Sequence, residues 1–83
     1  MVKTKILWVD DEVELLKPHI IFLENKDFLI QPCNNGSDAV KMMRNENFDA
    51  VLLDENMPGL NGIETLTLMR DISSNIPIIM ITK

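Results

Sequence analysis

Four short apolar runs punctuate the chain, and the stretches between them repeat an apolar residue every three or four positions. The first run, TKILWV (Thr4–Val9), is too short for a helix and stops at two acids, which predicts a buried strand. Residues 12–25 then place Val13, Leu16, Ile20 and Leu23 at the spacing of a helix with one buried side. Pro18 lies inside that stretch, where it deletes a hydrogen bond to the Glu14 carbonyl and collides with it, so a kink or a later helix start is predicted. FLIQPC (Phe28–Cys33) reads as a second strand, and Pro32, which cannot donate to a ladder, puts that strand at a sheet edge. Asn34, Asn35 and Gly36 make a turn. Ser37 is the expected N-cap of a short helix over 38–45, with Ala39, Val40 and Met43 inward and Asp38 complementing its positive end. A third strand over 50–53 follows Asn47 and Phe48. A helix over 62–72 comes next, with Ile63, Leu66, Met69 and Ile72 inward and residues 73–75 ending it. PIIMIT, over 77–82, is the last strand, with Thr82 at its carboxyl end.

Strand and helix thus alternate from a β start to a β end. Such alternation with short connections predicts an α/β fold whose parallel sheet is built from right-handed βαβ units. Eighty-three residues suit one small domain. No stretch nears the roughly 18 to 20 apolar residues of a membrane span, and the N-terminus turns acidic before a signal-peptide core is long enough. The expected location is the cytoplasm, with no membrane contact. A net charge of -5 without clustered Lys or Arg argues against direct nucleic-acid contact. The single Cys33 excludes an internal disulfide and, with only one His in the chain, a zinc site of ordinary spacing. Cys33 therefore reads as a small buried hydrophobe and His19 as a surface residue.

The acids change the picture. In AVLLDENMPGLNG, over residues 50–62, an apolar run ends abruptly in Asp54 before a turn rich in Asn, Pro and Gly. That is how a buried parallel strand delivers a carboxylate to the crevice outside the strand ends. Asp10 and Asp11 end the first strand in the same way, and where the two strands are neighbours the three carboxylates converge. Taken singly, each reads equally as a solvated strand-end acid. Taken together, they repel one another unless a divalent cation reverses the local field. Oxygen ligands with positions open to water and phosphate suit Mg²⁺, with Mn²⁺ as the alternative, better than zinc. A metal beside a strand-end Asp is an arrangement for phosphoryl transfer. Asp54 is then the candidate nucleophile, and the Thr82 hydroxyl can donate to a phosphoryl oxygen.

ILWVDDE, LLDENMPGLNGIE and IPIIMIT, in this order and spacing, resemble the receiver domain of bacterial two-component response regulators across essentially the whole chain. The resemblance implies a flavodoxin-like fold with strand order 2-1-3-4-5, truncated here after the fourth strand. It implies Asp54 as phosphoacceptor, Asp11 as direct metal ligand, Asp10 as a ligand acting largely through water, Asn56 as donor of a backbone carbonyl to the metal, and Thr82 as the switch hydroxyl. It also implies a sensor histidine kinase as partner and an output domain beyond residue 83. Trp8, the ENMPGL loop and the terminal MITK further resemble receivers attached to a PglZ-type output domain.

Receivers have five β/α units, so residues 1–83 are expected to be a receiver fragment without the fourth helix, fifth strand and fifth helix. The family lysine that pairs with the phosphoryl group goes with them; Lys83 lies in the wrong strand. PIIMIT is then an unpaired apolar edge, open to a dimer or other edge pairing. Two other readings compete with the phospho-accepting receiver, which is a signalling domain rather than an enzyme. One is a degenerate receiver used as an interaction module. The other is a haloacid-dehalogenase-like phosphohydrolase, which needs an acid two residues after its nucleophile, where this chain has Asn56, a residue that cannot shuttle a proton.

Overall fold

The structure, a computed structural model, describes residues 3–82, so Lys83 lies outside the described residues. Its elements in chain order are β1 (Thr4–Val9), a 3-10 turn (Val13–Leu16), α1 (Lys17–Glu24), β2 (Phe28–Cys33), α2 (Gly36–Asn45), β3 (Ala50–Asp54), α3 (Gly62–Ile72) and β4 (Ile78–Ile81). The strands form one sheet in the order β2-β1-β3-β4, and each neighbouring pair is parallel. Through its fourth strand this is the strand order that the resemblance implies. The chain steps outward from β1 to β2, then crosses back over β1 to β3. The winding therefore reverses between β1 and β3, which opens a crevice at their carboxyl ends.

Alternation along the strands assigns the two faces. Leu7, Val9, Val51 and Leu53 turn to one side and pack with Cys33, Ala39, Val40, Met43 and Met69 beneath α2 and α3. Ile6, Trp8 and Ile30 turn to the other side and pack with Leu16, Ile20 and Leu23 of the α1 region. Pro32 pairs in register with Trp8 on the outer strand β2, where its missing N–H interrupts no inner ladder, as predicted.

Several boundaries differ from the expectations, each for a local reason. The stretch over 12–25 is not one helix: a 3-10 turn occupies Val13–Leu16, and α1 starts at Lys17 with Pro18 in its first turn. There a missing N–H leaves no bond unmade, so the later start replaces the kink. Ser37 is not the N-cap of α2. Asn35 is, its side chain accepting from the Asp38 N–H at 2.8 Å, and the helix begins at Gly36. The strand ahead of the acid loop includes Asp54, and the last strand is Ile78–Ile81 rather than 77–82.

On α3, Ile63 faces outward and Thr65 is the buried residue of the first turn. Two features make a threonine acceptable there. Its hydroxyl donates back to the Asn61 carbonyl at 2.8 Å, so no polar group is stranded. Its other neighbour is Gly36, where a Cβ would overlap the Thr65 Oγ1, so α2 and α3 approach closely only because Gly36 has no side chain.

Candidate functional site

The crevice at the carboxyl ends of β1 and β3 holds the acids. Asp10 leaves β1 with its N–H bonded to the Cys33 carbonyl of β2 at 3.0 Å. Its own carbonyl then accepts from the Val13 N–H at 3.0 Å, and its Oδ1 accepts from the Glu12 N–H at 2.8 Å. This tight turn keeps Asp10 inside, 1% exposed, and puts Asp11 out in solvent. Asp54 is the last residue of β3 and also 1% exposed, with Oδ1 accepting from the Asn56 N–H at 3.1 Å. Carboxylate oxygens of Asp10, Asp11 and Asp54 all lie within 4.8 Å of one another.

Electrostatics follow from that crowding. Desolvation, hydrogen bonding to Asp54, and the charges of Asp54, Asp10 and Glu12 together push the Asp11 carboxyl above its ordinary value. A cation at this point would relieve the repulsion. The donor set fits a hard ion: oxygens only, two carboxylates held rigid by backbone N–H groups, and a third exposed so that solvent or a phosphate has access.

Asn56 is exposed in the turn that begins at Asp54, tied to that carboxylate through its own N–H. Thr82 follows β4 at the same sheet edge and is exposed. The Ile81 carbonyl before it accepts from the Glu55 N–H at 3.0 Å, so the chain at Thr82 runs beside the residue after Asp54. Cys33 is buried, its Sγ contacts the Asn35 carbonyl at 3.3 Å, and burial pushes its thiol up, all consistent with the small hydrophobe expected. His19 is on the surface.

Met57, buried under the acid loop, was not among the residues expected to be inward, and Gly62 was expected only to begin a helix. A glycine at that helical position has a sequence signal, since glycine is among the poorest helix formers and its presence suggests a close approach.

Residues 6–83 match the profile described as the response regulator receiver domain. The chain belongs to the response regulator receiver domain family. It is 44% identical over 79 residues to the transcriptional regulatory protein CpxR homolog of Haemophilus influenzae, covering 95% of this chain and 34% of that protein. It is 39% identical over 80 residues to the transcriptional regulatory protein ResD of Bacillus subtilis, covering 96% of this chain and 33% of that one. The chain thus spans about a third of the curated relatives it matches. Among solved structures, the response regulator protein TrrA of Thermotoga maritima, in complex with Mg(2+)-BeF, superposes with a TM-score of 0.87 at 33% identity, over 95% of this chain and 69% of that one. The receiver is a signalling domain of two-component systems. Among the described residues, no helix is long and apolar enough to cross a membrane.

Proposed function

We propose that this receiver accepts a phosphoryl group from a sensor histidine kinase onto Asp54, with Mg²⁺ held by Asp10, Asp11, Asp54 and the backbone carbonyl of Asn56. One observation carries the reading: three carboxylates within 4.8 Å of one another, two of them almost wholly buried at the ends of adjacent strands. A purely structural role does not explain why like charges are collected where each raises the cost of the others.

In the reaction, an Asp54 carboxylate oxygen attacks phosphorus as the bond from phosphorus to the donor imidazole nitrogen breaks. The electron pair returns to that nitrogen, and an acyl phosphate is left on Asp54. When bound, Mg²⁺ neutralises charge on the transferring group and helps hold it in line. The Asn56 N–H keeps the Asp54 side chain in one orientation, so little rotational freedom is lost on the way to transfer. Asp11, exposed beside the buried pair, would be the metal ligand most open to solvent. The Thr82 hydroxyl, at the same sheet edge, donates to a phosphoryl oxygen and couples the site to β4. An attached output domain reads the altered state. We place the chain in the cytoplasm and, on Trp8 and the loop of residues 55–60, favour a PglZ-type output.

Intact mass after incubation with acetyl phosphate and Mg²⁺ tests this. One phosphoryl adduct is expected on the wild type and none on Asp54→Ala. Turnover of the donor without an adduct would point to a hydrolase, and no reaction even in the chain extended through a whole receiver to a degenerate receiver. Mg²⁺ is also expected to raise the melting temperature, because it binds the folded acid cluster and not the unfolded chain. An unchanged melting temperature at millimolar Mg²⁺ would remove the metal from the scheme.

A further inference from the structure

Asp54 is held by more than its own side chain. The loop of residues 55–62 returns on itself, and the Gly62 N–H, at the start of α3, donates to the Glu55 carbonyl at 3.0 Å. A Cβ at Gly62 would lie 2.6 Å from the Asp54 carbonyl oxygen, 2.6 Å from the Glu55 Cα and 2.9 Å from the Met80 methyl carbon. The first two are backbone atoms and cannot rotate aside. The helix behind Gly62 is itself fixed: Asn61 accepts from the Glu64 N–H at 2.9 Å, and the Glu64 carboxylate accepts from the Asn61 N–H at 3.1 Å.

We propose that Gly62 is a positioning residue for phosphoryl transfer, because its missing side chain lets the first turn of α3 rest directly on the backbone of Asp54 and Glu55. The contact fixes the Asp54 carboxylate and the Asn56 carbonyl relative to Asp10 and Asp11. This rests on the reading of Asp54 as phosphoacceptor. The other two glycines are required for different reasons. Gly59, in the same loop, has a φ of 75° and nothing within 4 Å of its would-be Cβ, so its requirement is conformational. Gly36 is crowded by the Thr65 and Leu60 side chains, so its requirement is the packing of α2 against the α3 end of the loop.

Gly62→Ala and Gly36→Ala separate positioning from mere stability, since both create overlap but only the first pushes on the backbone carrying Asp54. Both are compared by melting temperature in chelator, by calorimetric Mg²⁺ titration and by the rate of adduct formation from acetyl phosphate. Gly62→Ala is expected to weaken Mg²⁺ binding by about tenfold or more, the scale seen when groups supporting metal ligands are removed. It should slow adduct formation by up to about a hundredfold, the scale of an ångström-sized misplacement. Gly36→Ala is expected to melt lower yet bind Mg²⁺ as the wild type does. Gly62→Ala behaving as wild type in both readouts, or Gly36→Ala losing as much affinity, overturns the proposal. Should Gly62→Ala not fold, amide exchange of the wild type decides: Mg²⁺ is expected to slow exchange at the Gly62 N–H, and an unchanged rate overturns the proposal. A wild type that neither binds Mg²⁺ nor forms an adduct fails at the earlier step, and the phosphoacceptor reading falls first.

Discussion

Among the described residues the two faces of the sheet are covered unequally. Beneath α2 and α3, Leu7, Val9, Val51 and Leu53 are fully buried. On the α1 side, Leu52 and Ile81 are half-buried and Ile79 is 55% exposed. The helices differ in the same sense. Asn35 caps α2 and Asn61 caps α3, whereas α1 starts after Leu16 with no side-chain cap and leaves Ile21 and Phe22 in solvent. The closely packed face holds the fold together. In register, Asp54 lies on the other side, with Leu52 and Ile81, so the candidate chemistry borders the looser face.

The largest expected effect is in the core beneath α2 and α3. Leu53→Ala should cost about 2–5 kcal/mol, the range for emptying a filled core position. Ile79→Ala, one strand away on the opposite face, should cost no more than about 0.5 kcal/mol. Urea unfolding of the two variants measures both, and equal losses would mean that the faces contribute alike. Next in size are the caps. Asn61→Ala and Asn35→Ala should each cost about 1 kcal/mol. Asn35→Ala should cost the more, because the Asn35 side chain both accepts from the Asp38 N–H and donates to the Asp38 carboxylate, whereas the Asn61 side chain only accepts and its return bond comes from the backbone N–H. In a domain of this size, about 1 kcal/mol lowers the melting temperature by roughly 4–8 °C, which calorimetry resolves.

The smallest effect concerns the exposed acid. Asp11 is raised above its ordinary 3.8, so the folded chain holds that proton more tightly than the unfolded chain does. Its contribution to stability is therefore complete below about pH 3.8 and is lost as pH climbs through the raised value. In chelator, Asp11→Asn should flatten the fall in melting temperature between acid and neutral pH. A wild-type and variant profile of the same slope would show that the cluster does not strain the fold.

Much of this was legible in the residues. TKILWV and FLIQPC gave both strand ranges because an apolar run that stops at acids or Asn has only one way to be buried at that length. The convergence of Asp10, Asp11 and Asp54 followed from strand ends in a parallel sheet. What did not follow were choices decided by tertiary contact. Asn35 and Ser37 are both good caps, and it is the Asn35 side chain that reaches the Asp38 N–H and carboxylate, with Gly36 packed against Thr65. Thr65 displaced Ile63 from the interface because its hydroxyl finds a carbonyl one turn back, a bond invisible to hydrophobic spacing. The role of Gly62 depends on an atom that is absent, and periodicity has no term for that.

Trp8 lies two residues before Asp10, on the looser face, and its indole Nε1 is buried with no hydrogen-bond partner among the described residues. The chain has one Trp and no Tyr. Its ultraviolet emission therefore comes almost wholly from one indole in an apolar setting, at the end of the strand that carries the first acids. The protein brings its own optical probe, and events at the carboxylates can be followed in the native chain without a dye or a label.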